Sequence, residues 1–158
     1  TLGHLYQSEF FREVVNFNEG PPPDINLFNE KNNGLAVLDL ISKELVRSAH
    51  DISSGGILVT LSEMCIPKNI GALINISQSN IKLQKYLFGE DQSRYIIEVE
   101  NKNIGKVNKI LKEKNIYFEE IGKTQKTYME IKNEFKVNIN DIAKANKYWF
   151  KSYFRESI

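Results

Sequence analysis

The apolar and polar positions of this chain fall into short stretches that switch between a period near 3.6 and a period near 2, the repeats of a helix face and a strand face. "HLYQSEFFREVV" places Leu5, Phe10, Phe11, Val14 and Val15 at helical spacing and predicts a short amphipathic helix. "NEGPPPD" ends it, because three consecutive prolines cannot continue a helix and predict an extended, polyproline-like crossing. Asp24 or Asn26 is placed to cap a second helix that runs to about Leu45, with Leu27, Leu35, Leu38, Ile41 and Leu45 on one side. "LVRSAH" predicts a short buried strand, and "GGILVTLSEMC" a helix with Ile57, Leu58, Leu61, Met64 and Cys65 along one stripe. Then come a strand in "IGALINI", a helix in "NIKLQKYLF" that stops at Gly89, and a strand in "RYIIEV", where β-branched residues alternate with polar ones. "NIGKVNKILKEKN" aligns Ile104, Val107, Ile110 and Leu111 on a helical stripe. "IYFEEIGKT" and "TYMEI" predict two neighbouring strands, and "FKVNI" extends their sheet. "NDIAKANKYWFKSYF" predicts a closing helix capped by Asn140 or Asp141, carrying Ile142, Ala145, Trp149 and Phe150.

Helices and strands therefore alternate, with strands clustering late, which predicts an α/β (α+β) fold: a mixed sheet with helices packed on it. The 158 residues, 41% of them apolar and 26% charged, suit an ordered chain with a real core. No linker or internal repeat divides them, so residues 1–158 are read as a single domain. The chain starts on Thr1, which raises the expectation that it is one piece of a longer protein. There is no apolar run of the roughly 20 residues that a membrane span needs, and no basic-then-apolar leader, so a cytoplasmic location without membrane contact is expected. Charge is unevenly placed: residues 1–100 carry 8 Lys and Arg against 13 Asp and Glu, whereas residues 101–158 carry 13 against 7. The late lysines alternate with acidic and apolar residues, the pattern of a solvated helix face rather than of a nucleic-acid surface. Cys65 is the only cysteine and sits among apolar residues, which predicts a small core side chain. With His4 and His50 the only histidines, a structural zinc site has no ligand set.

Two stretches carry candidate chemistry. In "AHDISSGGI" a strand runs through His50 into Asp51 and a helix opens on Gly55 and Gly56. A helix N-terminus presents unpaired N–H groups and favours anions, the glycines remove the Cβ atoms that would block a phosphate, and Ser53 and Ser54 add hydroxyl donors. The alternative is structural: Asp51 or Ser53 caps the helix, the glycines make a tight turn, and His50 is hydrogen-bonded at a strand end. In "FGEDQSRY" the groups Glu90, Asp91, Gln92 and Arg94 stand where a strand begins. The carboxylates suit magnesium or ribose hydroxyls, Gln92 a substrate amide and Arg94 a phosphate. The alternative there is a solvated turn with an Asp91–Arg94 ion pair. Neither stretch holds a Ser/His/Asp or Cys/His constellation, and no catalytic residue is assigned.

Taken together, "LGHLYQSEFFREV…EGPPPDINLFNEKNNG", "SAHDISSGGILVTLSEM" and "LFGEDQSRYIIEV" resemble the C-terminal end of the large subunit of phosphoribosylformylglycinamidine synthases, a family of ATP-dependent amidotransferases (ligases) of purine biosynthesis. The resemblance covers nearly the whole chain, is weakest from about 100 to 140, and returns in "DIAKANKYWFKSYF". It implies the second C-terminal domain of an enzyme of two tandem halves, in the wider superfamily of aminoimidazole ribonucleotide synthetase. His50, Asp51, Ser53, Gly55 and Gly56 match the family's His-Asp-x-Ser-x-Gly-Gly motif, with Ser54 where aspartate is common. Glu90, Gln92 and Arg94 match a substrate-binding Glu-Ser-Gln-Glu-Arg segment of the first half, with Asp91 in place of its serine and Ser93 in place of its second glutamate. By the pseudosymmetry of the halves, this copy either faces an auxiliary nucleotide site or supports the fold. The implied cofactors of the full enzyme are ATP and Mg²⁺, held largely by the N-terminal domains of the same chain. The implied partners are those domains, a glutaminase subunit and a small accessory subunit. A sheet edge left bare without those domains also offers a route to a homodimer. The implied reaction activates formylglycinamide ribonucleotide with ATP for attack by glutamine-derived ammonia. The alternative is a non-catalytic assembly or nucleotide-binding domain of the same superfamily.

Overall fold

A computed structural model describes residues 1–76 and 80–155. The chain gathers into two compact units, Thr1–Thr60 with Ser79–Glu119 and Leu61–Gln78 with Glu120–Ile158.

In the first unit, residues 1–8 are not helical; a helical segment begins at Glu9 and widens into one π-type turn at Phe11–Val15. The predicted helix is cut short because Gln7 takes a left-handed φ of 63° and the Leu2 and His4 N–H groups donate to the Asp91 carboxylate. Tyr6, Phe11 and Phe17 cluster there edge to face, and His4 and Gln7 bind carbonyls of the crossing at Pro21 and Gly20. Helix α1 (Leu27–Ser42) starts on Asn26, whose side chain accepts the Asn29 N–H at 3.0 Å. It stops short of Leu45 because Glu44 is left-handed (φ 54°) and the Leu45 N–H turns back to Leu40 O. The buried face of α1 is Ala36 and Leu40, which pack with Val107 and Leu111 of α4 (Ile104–Glu113). The predicted Leu27, Leu35, Leu38 and Ile41 stand on the exposed side. Asn29, Asn33 and Gly34 had disguised the buried stripe by putting polar and small residues near it. Strands β1 (Ser48–Asp51) and β3 (Tyr95–Glu98) form an antiparallel pair, and α3 (Leu83–Phe88) precedes the turn into β3.

Helix α2 (Gly56–Cys65) carries the chain from the first unit into the second, with Ile57, Leu61 and Cys65 buried as its stripe predicts. The second unit is a four-stranded mixed sheet in the order β4-β2-β5-β6, from β2 (Gly71–Ile74), β4 (Gly122–Gln125), β5 (Tyr128–Ile131) and β6 (Phe135–Asn138). The strands in "IYFEEIGKT" and "TYMEI" are not neighbours: β2 lies between them, antiparallel to β4 and parallel to β5. Its apolar Gly-Ala-Leu-Ile run suits a strand paired on both sides, whereas Lys123, Thr124 and Gln125 suit an edge. Ile74, Met129, Ile131 and Ile139 are buried to 2% exposure or less. Helix α5 (Ile139–Arg155) begins before the predicted caps, and Asn138 does that work by accepting the Asn140 N–H at 2.9 Å. Trp149 and Phe150 remain exposed, in edge contact with each other. No helix among the described residues is long and apolar enough to cross a membrane.

Candidate functional site

β1 ends on Asp51, opposite Tyr95 at the start of β3, and one more bond, Ile52 N–H to Arg94 O at 2.9 Å, carries the pairing past the ladder. The two candidate stretches, far apart in sequence, are thereby laid side by side. Between them is a cleft of about 220 Å³ to which Asp51, Ser53, Glu90, Gln92 and Arg94 all contribute. His50 does not line it. Its ring lies against its neighbour instead, with Nδ1 2.7 Å from Asp51 O and 3.5 Å from Asp51 Oδ1. Ile52, Ser54 and Ser93 in the turns also line it, with Glu30 and Tyr95.

The glycine pair has a structural cause. Gly55 and Gly56 have φ of +80° and +67°, where an L side chain is strained. A Cβ on Gly56 would stand 2.7 Å from Leu87 O and 2.8 Å from Gly89 O, so the start of α2 lies directly against the backbone that ends α3. The Gly55 N–H, at the positive end of α2, donates to Glu90 Oε1 at 2.7 Å, and the same oxygen accepts the Glu9 N–H at 2.8 Å. Where the motif suggests room for a ligand anion, the chain has placed a carboxylate of its own.

Asp91 is turned away from the cleft and is 7% exposed. Its Oδ1 accepts the His4 N–H at 2.9 Å, and its Oδ2 accepts the Leu2 N–H at 3.0 Å and the Thr1 hydroxyl. Burial pushes this carboxyl up, but the hydrogen bonds and the charge of Arg94 outweigh it and hold the carboxyl below the usual aspartate range. The expected Asp91–Arg94 pair is present, with Nη2 3.6 Å from Oδ2. Arg94 is otherwise spent on backbone, its Nη2 donating to Gly89 O at 2.5 Å and its Nε to Asp91 O at 3.0 Å. Its Nη1 is buried and has no hydrogen-bond partner among the described residues, and burial lowers the pKa of the group, against the raising effect of Asp91.

Sequence reasoning passed over Glu30, Asn33 and Tyr95. Ser93 Oγ donates to Glu30 Oε2 at 2.6 Å and Asn33 Nδ2 donates to Ser93 O at 2.8 Å, which fixes the left-handed Ser93 turn against α1. The Tyr95 phenol is pushed up by burial, then by the charges of Glu30 and Asp51. The one signal available was the i, i+3 spacing of Glu30 and Asn33 on a helix face, which a solvated helix shows as readily.

This donor set decides what the cleft suits. Among the described residues no three His, Cys, Asp or Glu side chains converge on one point, so no all-protein metal cage is formed here. Glu30, Asp51 and Glu90 oppose a polyphosphate, and the guanidinium that would favour one is already bonded to carbonyls.

Residues 11–131 match the family described as AIR synthase related protein, C-terminal domain. The chain is 46% identical over 153 residues to phosphoribosylformylglycinamidine synthase subunit PurL of Pelagibacter ubique, covering 97% of this chain and 21% of that protein. It is 32% identical over 157 residues to the protein of the same name from Bartonella bacilliformis, covering 98% and 21%. It therefore spans about a fifth of the length of these relatives. Among solved structures it is similar in fold to Thermotoga maritima PurL complexed with FGAR (TM-score 0.70, 18% identity, 85% of this chain and 24% of that one). It is similar also to PurLQS from Thermotoga maritima (TM-score 0.65, 18% identity, 87% and 24%). With the match running through both candidate stretches and most of the strands, the chain belongs to the AIR synthase related protein C-terminal domain family.

Proposed function

We propose that this chain is the C-terminal part of a phosphoribosylformylglycinamidine synthase large subunit, a single AIR synthase-type C-terminal domain over residues 1–158 that works only as part of the whole ligase. The observation that carries the reading is 46% identity, sustained over 97% of the chain, to a protein of that name. The whole enzyme converts formylglycinamide ribonucleotide to formylglycinamidine ribonucleotide in the cytoplasm, using ATP, Mg²⁺ and ammonia released from glutamine by a glutaminase subunit, with a small accessory subunit in the assembly. Structures described as T. maritima PurL complexed with FGAR, ATP and ADP, and one of PurLQS, support that reading by likeness of fold. ATP supplies the phosphoryl group that activates the substrate amide, and the nucleotide and metal are held by the N-terminal domains.

The contribution of this chain is a wall. The β1–β3 pair and the turns at 51–56 and 90–94 form a rim on which Asp51, Ser53, Gln92 and Arg94 border a cleft that the N-terminal domains complete. His50, Gly55, Gly56 and Glu90 hold that rim in shape. The exposed Leu27, Phe28, Leu35 and Leu38 on α1 and Trp149 and Phe150 on α5 agree with a chain that the rest of a longer polypeptide covers. The test is a chimera in which this chain replaces the corresponding segment of the Pelagibacter ubique protein. Product formation above that of the parent truncated before the segment, with ammonia and with glutamine plus the glutaminase partner, is the expected result. A chimera that is folded by circular dichroism and makes no more product than the truncated parent overturns the reading.

A further inference from the structure

We infer that Glu90 is the resident anion of the glycine turn: its carboxylate holds the place that a phosphate would take at the start of α2, and it latches the residue 5–10 segment to that turn. One oxygen, Glu90 Oε1, receives both the Gly55 N–H at 2.7 Å and the Glu9 N–H at 2.8 Å. α2 is ten residues long, so its first amides carry the positive end of a full helix dipole, and a carboxylate there makes charge-assisted bonds stronger than those of a neutral acceptor. The space beside Gly56 is taken by the carbonyl oxygens of Leu87 and Gly89, which would repel a second anion. Arg94, the only cationic residue lining the cleft among the described residues, donates to Gly89 O and Asp91 O, while Glu30 and Asp51 add negative charge to the lining. A phosphate entering here would have to displace Glu90 and leave that carboxylate among other carboxylates. A group that enters without displacing it meets hydroxyls and carboxylates, which suits a neutral or cationic polar group.

The inference stands on the geometry of this chain and is independent of the reaction proposed for the whole enzyme. Hydrogen–deuterium exchange by mass spectrometry, on the full-length protein that carries the chain, tests it with and without inorganic phosphate. In the parent, phosphate leaves exchange at residues 52–57 unchanged. In Glu90→Ala the amides of Gly55 and Glu9 exchange faster by roughly tenfold or more, the loss expected of a charged acceptor. Glu90→Gln keeps an acceptor oxygen without the charge and falls between the two; it carries the comparison if the alanine variant does not fold. Protection of Gly55 by phosphate in the parent overturns the inference. So does unchanged exchange at Gly55 and Glu9 in both variants.

Discussion

Replacing Gly56 by alanine adds one carbon atom at a position where backbone conformation and packing both exclude it. At φ +67° an L residue costs about 1–2 kcal/mol relative to glycine. The new Cβ would also stand 2.7 Å from Leu87 O, 2.8 Å from Gly89 O and 2.8 Å from Phe88 C. These are backbone atoms, so no rotamer change relieves the overlap, and separating α2 from the end of α3 costs about 1–3 kcal/mol, as overpacking does elsewhere. Alanine restricts the unfolded chain and returns about 0.4–1 kcal/mol. The net expectation is a loss of about 2–4 kcal/mol, which at a typical urea slope near 2 kcal/mol/M lowers the midpoint by about 1–2 M. The assay is urea denaturation followed by circular dichroism, with Gly105→Ala as the control. Gly105 lies in α4 at ordinary φ with nothing within 4 Å of an added Cβ, so alanine there raises stability by about 0.5 kcal/mol. A Gly56→Ala variant within about 0.5 kcal/mol of the parent, the range of an ordinary surface change, would refute the close approach of α2 to α3.

The buried face of α1 is tested by a pair: Leu40→Ala, at 0% exposure, is expected to cost about 2–5 kcal/mol, and Leu38→Ala, at 61% exposure, less than about 0.5 kcal/mol. Similar losses for the two would mean that the helix is rotated from the orientation described. Asp91→Asn is expected to cost about 2 kcal/mol at neutral pH by weakening the bonds from His4, Leu2 and Arg94. Because the Asp91 carboxyl is held below its ordinary range in the fold, its contribution is complete above the unfolded value near 3.9 and is lost as the pH falls through the lower, folded value. The difference between parent and variant should therefore narrow below about pH 4; urea midpoints at pH 7 and pH 3 measure it, and a difference that does not change with pH contradicts the role given to that carboxylate.

Much of this protein was set by local sequence. The stripe of Ile57, Leu61 and Cys65, the stripe of Val107 and Leu111, and the alternation in "RYIIEV" fix the type of element because periodicity and β-branching act over a few residues, whatever the rest of the chain does. The paired glycines announced a special backbone for the same reason: only positive φ or close contact repays their entropy. What no local pattern contained was the choice of partner. Leu38 and Leu40 are equally apolar, and only the docking of α4 decides that Leu40 is buried. The strand β2 enters between β4 and β5 because its apolar run is worth most where both edges are paired, a comparison among strands that a single segment cannot express. Glu90 and Asp91 are adjacent carboxylates that look interchangeable in sequence. The fold aims one at the Gly55 and Glu9 amides and buries the other beneath the Leu2 and His4 amides. A carboxylate's role is set by the donors that surround it, and here those donors come from the chain start and the glycine turn, which only tertiary structure brings together.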